Sequence, residues 1–150
     1  MKIRFRLAWV SETAVQPRMF KSLEAHKLFS GYLHRISRWA PCDASGRGLK
    51  NNRPGTTTWI CDRAPDARVM SSEELSGRVE KLRDSGTREF HIVIGGPDGF
   101  PKKELEFWNP DLKWGFGPLT FPHELAAVIA GEQIYRAFTI LNRLPYHLGH

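Results

Sequence analysis

Apolar and polar positions alternate over the first ten residues, with Ile3, Phe5, Leu7 and Trp9 set against Lys2, Arg4 and Arg6. A period of two is the signature of a strand, here one apolar face and one basic face, so a strand is expected over Lys2–Val10. Pro17 is a good first-turn residue and predicts a helix that ends before Gly31. A short strand and then a loop are expected next, the loop being the Gly- and Asn-rich stretch bounded by Pro41 and Pro54. Thr56–Cys61, rich in β-branched and aromatic residues, predicts a strand. Ser71-Ser-Glu-Glu74 has the form of a capping box, with Ser71 as N-cap and Glu74 three residues on. Leu75, Val79 and Leu82 continue that helix at helical spacing, and Gly86 is placed to end it. Phe90–Ile94 is an apolar run of strand length.

The last helix begins near Pro122 and carries Leu125, Val128, Ile129, Ile134, Tyr135, Phe138 and Leu141. Glu124 favours its positive N-terminal end. The apolar positions surround too much of this helix for a simple surface stripe. Burial by a sheet on one side and a partner subunit on the other explains that; so does a central position in a monomer. Strands alternating with helices predict an α/β fold with a mostly parallel sheet and helices on its faces. A single domain over 1–150 can bury a sizeable core at this length.

Charge adds a direction without fixing it. The formal net charge of +6 and the pI near 9.6 fit a nucleic-acid partner, as they also fit many proteins that never touch RNA. Arg47, Lys50 and Arg53 cluster in the loop before Pro54, where they either grip phosphates or face solvent. No apolar run is long enough to span a bilayer, and the N-terminus lacks the continuous apolar stretch of a signal peptide. Cys42 and Cys61 have no metal-type spacing and read as reduced thiols of a cytoplasmic protein. His147 and His150 alone fall short of a metal site, and no metal is expected.

The chemistry concentrates in two segments. Ile94-Gly-Gly-Pro-Asp-Gly99 follows the Phe90–Ile94 strand, and glycines there let a backbone approach a ligand closely. Ligands of open α/β sheets sit beyond the carboxyl ends of strands, so the segment reads as a cofactor cradle. Leu119-Thr-Phe-Pro-His-Glu124 opens the last helix. With Glu132-Gln-Ile-Tyr-Arg-Ala137 and Pro145-Tyr-His147, these segments occur in one order and at similar spacing.

In that order and spacing, the chain resembles the ribosomal RNA large subunit methyltransferase H family, of the SPOUT class of knotted methyltransferases. The likeness is specific from about Thr57 to His147. It implies methyl transfer from S-adenosylmethionine to N3 of a pseudouridine in large-subunit ribosomal RNA, by a homodimer with a C-terminal trefoil knot. The partner subunit is therefore the favoured cover for the last helix. The matching cofactor positions are Cys61, Gly95 and the loop Phe116, Gly117, Pro118, Leu119, Thr120 and Phe121. Backbone groups would do most of the holding, which suits loops made of glycine, proline and apolar residues.

An imide N3–H is a poor nucleophile until its proton leaves, so a base or an anion-stabilising group is needed. Candidates are His123, Arg136, Tyr146 and His147. Arg136 suits a phosphate or a developing negative charge, His147 suits proton transfer, and Tyr146 suits stacking on a base. The alternatives are structural: His123 hydrogen-bonding the helix start, and Arg136 paired with Glu132 one turn away. The chain departs from the family at Trp9-Val10-Ser11-Glu12, where a Gly-Lys is usual, and at Ala127, where an arginine is usual. It also departs in the tail Leu148-Gly149-His150. These departures leave open another RNA site, a small-molecule substrate, or a non-catalytic RNA- or ribosome-binding protein.

Overall fold

Ile3, Phe5 and Leu7 are fully buried, as their alternation requires, and they anchor the centre of a six-stranded sheet. The computed structural model describes residues 1–48 and 53–148. The strands are β1 (Lys2–Leu7), β2 (Cys42–Gly46), β3 (Thr56–Cys61), β4 (Arg68–Val69), β5 (Glu89–Ile94) and β6 (Leu112–Gly115). They lie in the order β2-β1-β5-β3-β6-β4, and every pairing is parallel. All six residues of β5 pair with β1 on one side and with β3 on the other. Its near-continuous apolar sequence is what a central parallel strand needs.

The two faces of the sheet are covered unequally. Helices α1 (Leu23–Ile36), α2 (Ser72–Asp84) and α4 (His123–Leu141) form one layer, in which α4 packs against both α1 and α2. The main core lies beneath them, built from Ile3, Phe5, Leu7, Trp59, Phe90, Ile92 and Ile94 of the sheet. The opposite face uses the alternate strand positions. There Ile60 and Val93 meet Trp108 of the short helix α3 (Lys102–Trp108). Helices therefore stand on both faces, but three of the four among the described residues share one.

That second face also disposes of the basic stripe on β1. Arg4 makes two hydrogen bonds to Asp43 on β2, 2.9 and 3.2 Å, and Lys2 reaches the same carboxylate at 3.1 Å. Arg6 is only 5 % exposed; it donates to the carbonyls of Gly46 and Arg47, contacts His91 at 3.2 Å and lies over the Trp108 ring. Arg6 can only donate, so His91 accepts through Nδ1 and carries its proton on Nε2, toward Glu89 at 3.4 Å. Burial holds the His91 pKa down to about 4, which keeps the ring neutral. The cations of β1 thus hold the sheet together.

Local signals fared best where the helix end is closed within itself. Ser71 accepts from the Glu74 N–H at 3.1 Å while Glu74 reaches back to the Ser71 N–H, as the capping box requires. Gly86 follows α2 at φ +83°. The N-terminal half differs. β1 stops at Leu7, and Pro17–Met19 is a separate 3-10 turn. α1 starts at Leu23 after its N-cap Ser22, and runs through Gly31 to Ile36. A glycine inside a helix costs only about 1 kcal/mol relative to alanine, and packing of α1 on α4 outweighs it.

β2 is the short strand expected after the first helix, and it takes up part of the stretch between Pro41 and Pro54. Its residues have little intrinsic strand preference, and the pairing with β1 supplies the order. Gly46 at its end has no room for a side chain, because a Cβ there would stand 1.8 Å from the Glu12 carbonyl oxygen. In the predicted basic cluster, Arg47 pairs with Glu104 at 3.0 Å and lies over the Phe107 ring; Arg53 is exposed, and Lys50 is outside the described residues.

The wide apolar surface of α4 is mostly explained within the chain. Ala127, Ala130, Ile134, Ala137 and Phe138 are buried over the sheet, and its flanks are taken by α1 and α2. Leu125 stays 43 % exposed on α4, and Leu28 53 % exposed on α1. Cys42 and Cys61 are free thiols, and burial pushes both pKa values up. Among the described residues no helix is long and apolar enough to cross a membrane.

Candidate active-site cleft

Three neighbouring parallel strands, β5, β3 and β6, end on the same edge of the sheet. Their following loops diverge to leave a cleft of about 840 Å³. The end of β3 and the loop after it bring Cys61 and Arg63. The loop after β5 brings Gly95, Gly96 and Phe100, and the loop after β6 brings Phe116, Gly117, Leu119, Thr120 and Phe121. His123, in the first turn of α4, closes one side. Of the residues expected to bind a cofactor, Pro118 alone stands outside this lining. It faces an adjoining hollow of about 300 Å³ that shares Gly117 and Arg63 with the cleft.

Local geometry explains the glycines. Gly99 turns at φ +67° and its N–H donates to the Gly96 carbonyl at 3.0 Å, closing the second loop. Gly117 sits at φ +99°, a conformation other residues rarely adopt. At Gly95 the constraint is space: a Cβ would lie 2.9 Å from the Phe100 ring and 3.3 Å from the Gly99 carbonyl.

His123 is held against Trp9. The Trp9 ring meets it edge-on with centroids 4.5 Å apart, and Trp9 in turn donates to the Met19 carbonyl and packs beside Gly96. Burial lowers the His123 pKa, Glu124 opposes that shift and Lys21 adds to it. The imidazole is therefore neutral near pH 7 and retains a lone pair. Trp9, which the sequence marks only as a departure from the family, is thus part of the site's frame.

Glu124 has a role that helix-end electrostatics did not reveal. Its buried carboxylate accepts from the backbone N–H groups of Lys21 and Ser22, at 2.7 and 2.9 Å, so α4 secures the start of α1. Glu124→Ala is expected to lower unfolding stability by about 2–3 kcal/mol, through two lost charge-assisted bonds. A denaturant titration checks this, and an unchanged midpoint would remove Glu124 from that role.

Arg136, Tyr146 and His147 come together, but away from the cleft. Arg136 bonds Glu132 at 2.7 and 2.9 Å, stacks over the Tyr146 ring and donates to His147 Nδ1 at 3.0 Å. His147 Nδ1 is thereby an acceptor, so Nε2–H donates to Glu73 at 2.7 Å. That bond holds the Glu73 carboxyl below its usual pKa. The Tyr146 hydroxyl donates to Glu132 at 3.0 Å; burial first, and then Glu132, pushes its pKa up. The Glu132 pairing foreseen for Arg136 is real, and it sits inside a larger polar cluster. Thirteen helical steps lead from His123 to Arg136, about 20 Å at 1.5 Å per residue.

Residues 44–147, which include both groups, match the family described as "Predicted SPOUT methyltransferase". A relative from Koribacter versatilis named ribosomal RNA large subunit methyltransferase H is 32 % identical, over 99 % of this chain and 100 % of its own. A relative of the same name from Maricaulis maris is 35 % identical over 75 % of this chain and 76 % of its own. One from Mesorhizobium japonicum is 40 % identical over 70 % and 63 %. The chain belongs to the ribosomal RNA large subunit methyltransferase H family of SPOUT methyltransferases. The Ile94–Gly99 and Leu119–Glu124 segments thus belong to a methyltransferase domain, and both line its cleft.

The cleft of this SPOUT chain fits a methyl-donor nucleoside in size and chemistry. Its volume lies in the range of small-molecule sites. Phe116, Phe121, Ile94 and Leu119 offer apolar walls for a purine, and the glycine turns expose backbone groups. Asp62 and Asp98 put carboxylates at the rim, suited to hydroxyls or a positive centre. Among the described residues no group of three or more His, Cys, Asp or Glu stands together as a metal site.

Proposed function

We propose that this protein transfers a methyl group from S-adenosylmethionine to N3 of a pseudouridine in large-subunit ribosomal RNA, and does so in the cytoplasm. The reading is supported above all by the glycine-lined cleft at the ends of β5, β3 and β6, within the segment that matches the methyltransferase family. The names of the relatives supply the RNA class. The reading includes the C-terminal trefoil knot implied by the family resemblance and the single domain expected from the chain's length.

When bound, S-adenosylmethionine supplies an electrophilic methyl on a sulfonium. Gly95, Gly117 and the apolar walls would hold and orient it, with Cys61 and residues 116–121 around it. His123, on the cleft wall and with its pKa lowered by burial, would accept the N3 proton as the N–C bond forms and the methyl–sulfur bond of the donor breaks. Arg136 is too far along α4 to act in the same chain's cleft, and Tyr146 and His147, in the tail that follows, pack beside Arg136. They serve the reaction in a homodimer in which the tail of one protomer borders the cleft of the other. The exposed Leu28 and Leu125 on the outer side of α1 and α4 are the natural contact for that second copy. Arg136 there stabilises charge on the base or grips a phosphate, and Tyr146 stacks.

The test is calorimetric titration with S-adenosylmethionine, followed by incubation with ribosomes lacking the modification and mass-spectrometric mapping of the methyl group. Binding plus a single methylated pseudouridine is expected. A methyl elsewhere in RNA would change the substrate assignment, and ribosome binding without cofactor binding would favour a non-catalytic RNA-binding role. Transfer only to small molecules, insensitive to salt, would exclude an RNA substrate.

A further inference from the structure

Arg63 is the only lysine or arginine among the described residues that line the cleft. It lies two residues beyond β3, on the first of the three loops. Its backbone N–H donates to Asp62 Oδ1 at 2.8 Å, and its guanidinium reaches across to the Thr120 hydroxyl on the third loop. The side chain thus spans two walls of the site while staying exposed.

Its partner is not the carboxylate that several arginines of this protein hold. Arg4, Arg47 and Arg136 each hold a carboxylate, at 2.9, 3.0 and 2.7 Å. Arg63 has no ion pair among the described residues, and a neutral hydroxyl takes one of its five N–H donors. A guanidinium fork at the mouth of a cleft, with donors to spare, matches a planar carboxylate in shape and charge.

We propose that Arg63 is the carboxylate-binding residue of the cleft, taking the α-carboxylate of the methionine moiety of the methyl donor in place of Thr120. This rests on reading the cleft as an S-adenosylmethionine site. S-adenosylmethionine has one anionic group, that carboxylate, and two cationic ones, its sulfonium and its ammonium. The cleft mirrors this with one guanidinium and the two carboxylates of Asp62 and Asp98. Arg63 thereby distinguishes the intact donor from nucleosides that lack the amino-acid carboxylate.

The experiment compares the affinities of S-adenosylmethionine and decarboxylated S-adenosylmethionine by calorimetry, in wild type, Arg63→Met, Arg63→Lys and Thr120→Val. Wild type is expected to prefer the intact donor by about tenfold, the scale of one exposed charge-assisted pair. Arg63→Met should erase that preference, Arg63→Lys should keep part of it, and Thr120→Val should keep all of it. An unchanged preference in Arg63→Met overturns the assignment. So does an equal loss of affinity for both ligands, which would make Arg63 a brace between loops. If Arg63→Met instead leaves both affinities alone and raises only the KM for RNA, the anion is a phosphate and the proposal fails. Wild type binding neither ligand would overturn the cofactor reading itself, and this inference with it.

Discussion

Gly95→Val is expected to abolish S-adenosylmethionine binding, weakening it by at least about a hundredfold, while the protein stays folded. A Cβ at residue 95 would already stand 2.9 Å from the Phe100 ring, and valine adds two methyl groups beyond it. Phe100 cannot simply swing away, because it packs against the Ile60, Val93 and Trp108 cluster on the far face of the sheet. The strain therefore falls on the turn from Gly95 to Gly99, which forms one wall of the cleft. Overpacking of this kind typically costs about 1–3 kcal/mol. Confined to a surface turn, it should displace the binding wall before it unfolds the sheet. Calorimetric titration with the donor measures the first effect, and a thermal melt measures the second. Normal affinity in a folded Gly95→Val protein would remove Gly95 from the site.

The parts of this protein that could be read in advance are those whose causes are local. The capping box of α2 closes within four residues, and Phe90–Ile94 is apolar because both its neighbours in the sheet bury it. The cofactor loops were legible through their glycines and through the family's fixed order of segments. What escaped was set by distant partners. The bounds of β2 are set by its pairing with β1, and its closing glycine answers to the backbone at Glu12. α1 begins where it does partly because Glu124, about a hundred residues away in sequence, accepts from Lys21 and Ser22. Arg63 carries no motif at all; only the meeting of two loops makes it a cleft residue. The candidate catalytic residues were read as one group by their chemistry, and a rigid helix separates them into two places. The basic stripe on β1, plausible for RNA, is consumed by Asp43 and by the buried contacts of Arg6.

Arg136→Ala is expected to reduce methyl transfer by about a hundredfold or more and to leave donor affinity within about threefold. The first expectation follows from its proposed role: a fixed guanidinium that stabilises developing charge is commonly worth two to three orders of magnitude. The second follows from the separation along α4, which keeps residue 136 out of the cleft of its own chain. A purely structural role makes a different prediction. Arg136 bridges Glu132 and His147 and lies under Tyr146, so its loss would free the tail and leave the mostly buried Glu132 short of a cation. That would lower stability and disturb transfer only in proportion to unfolding. Arg136→Lys separates the two readings, because it keeps the charge beside Glu132 but loses the guanidinium fork. A stable Arg136→Lys protein that binds the donor normally yet transfers poorly assigns the fork to the reaction. Near-normal transfer by Arg136→Lys, or full activity in Arg136→Ala, would reduce Arg136 to the ion-pair partner of Glu132. Mixing Arg136→Ala with a second variant, Gly95→Val, then tests where the tail acts. If one protomer's tail serves the other's cleft, the mixed dimer has one cleft intact with an intact tail beside it. It should then recover part of the activity that each variant lacks alone. No recovery, with mixed dimers present, would confine each tail to its own chain and exclude the shared site.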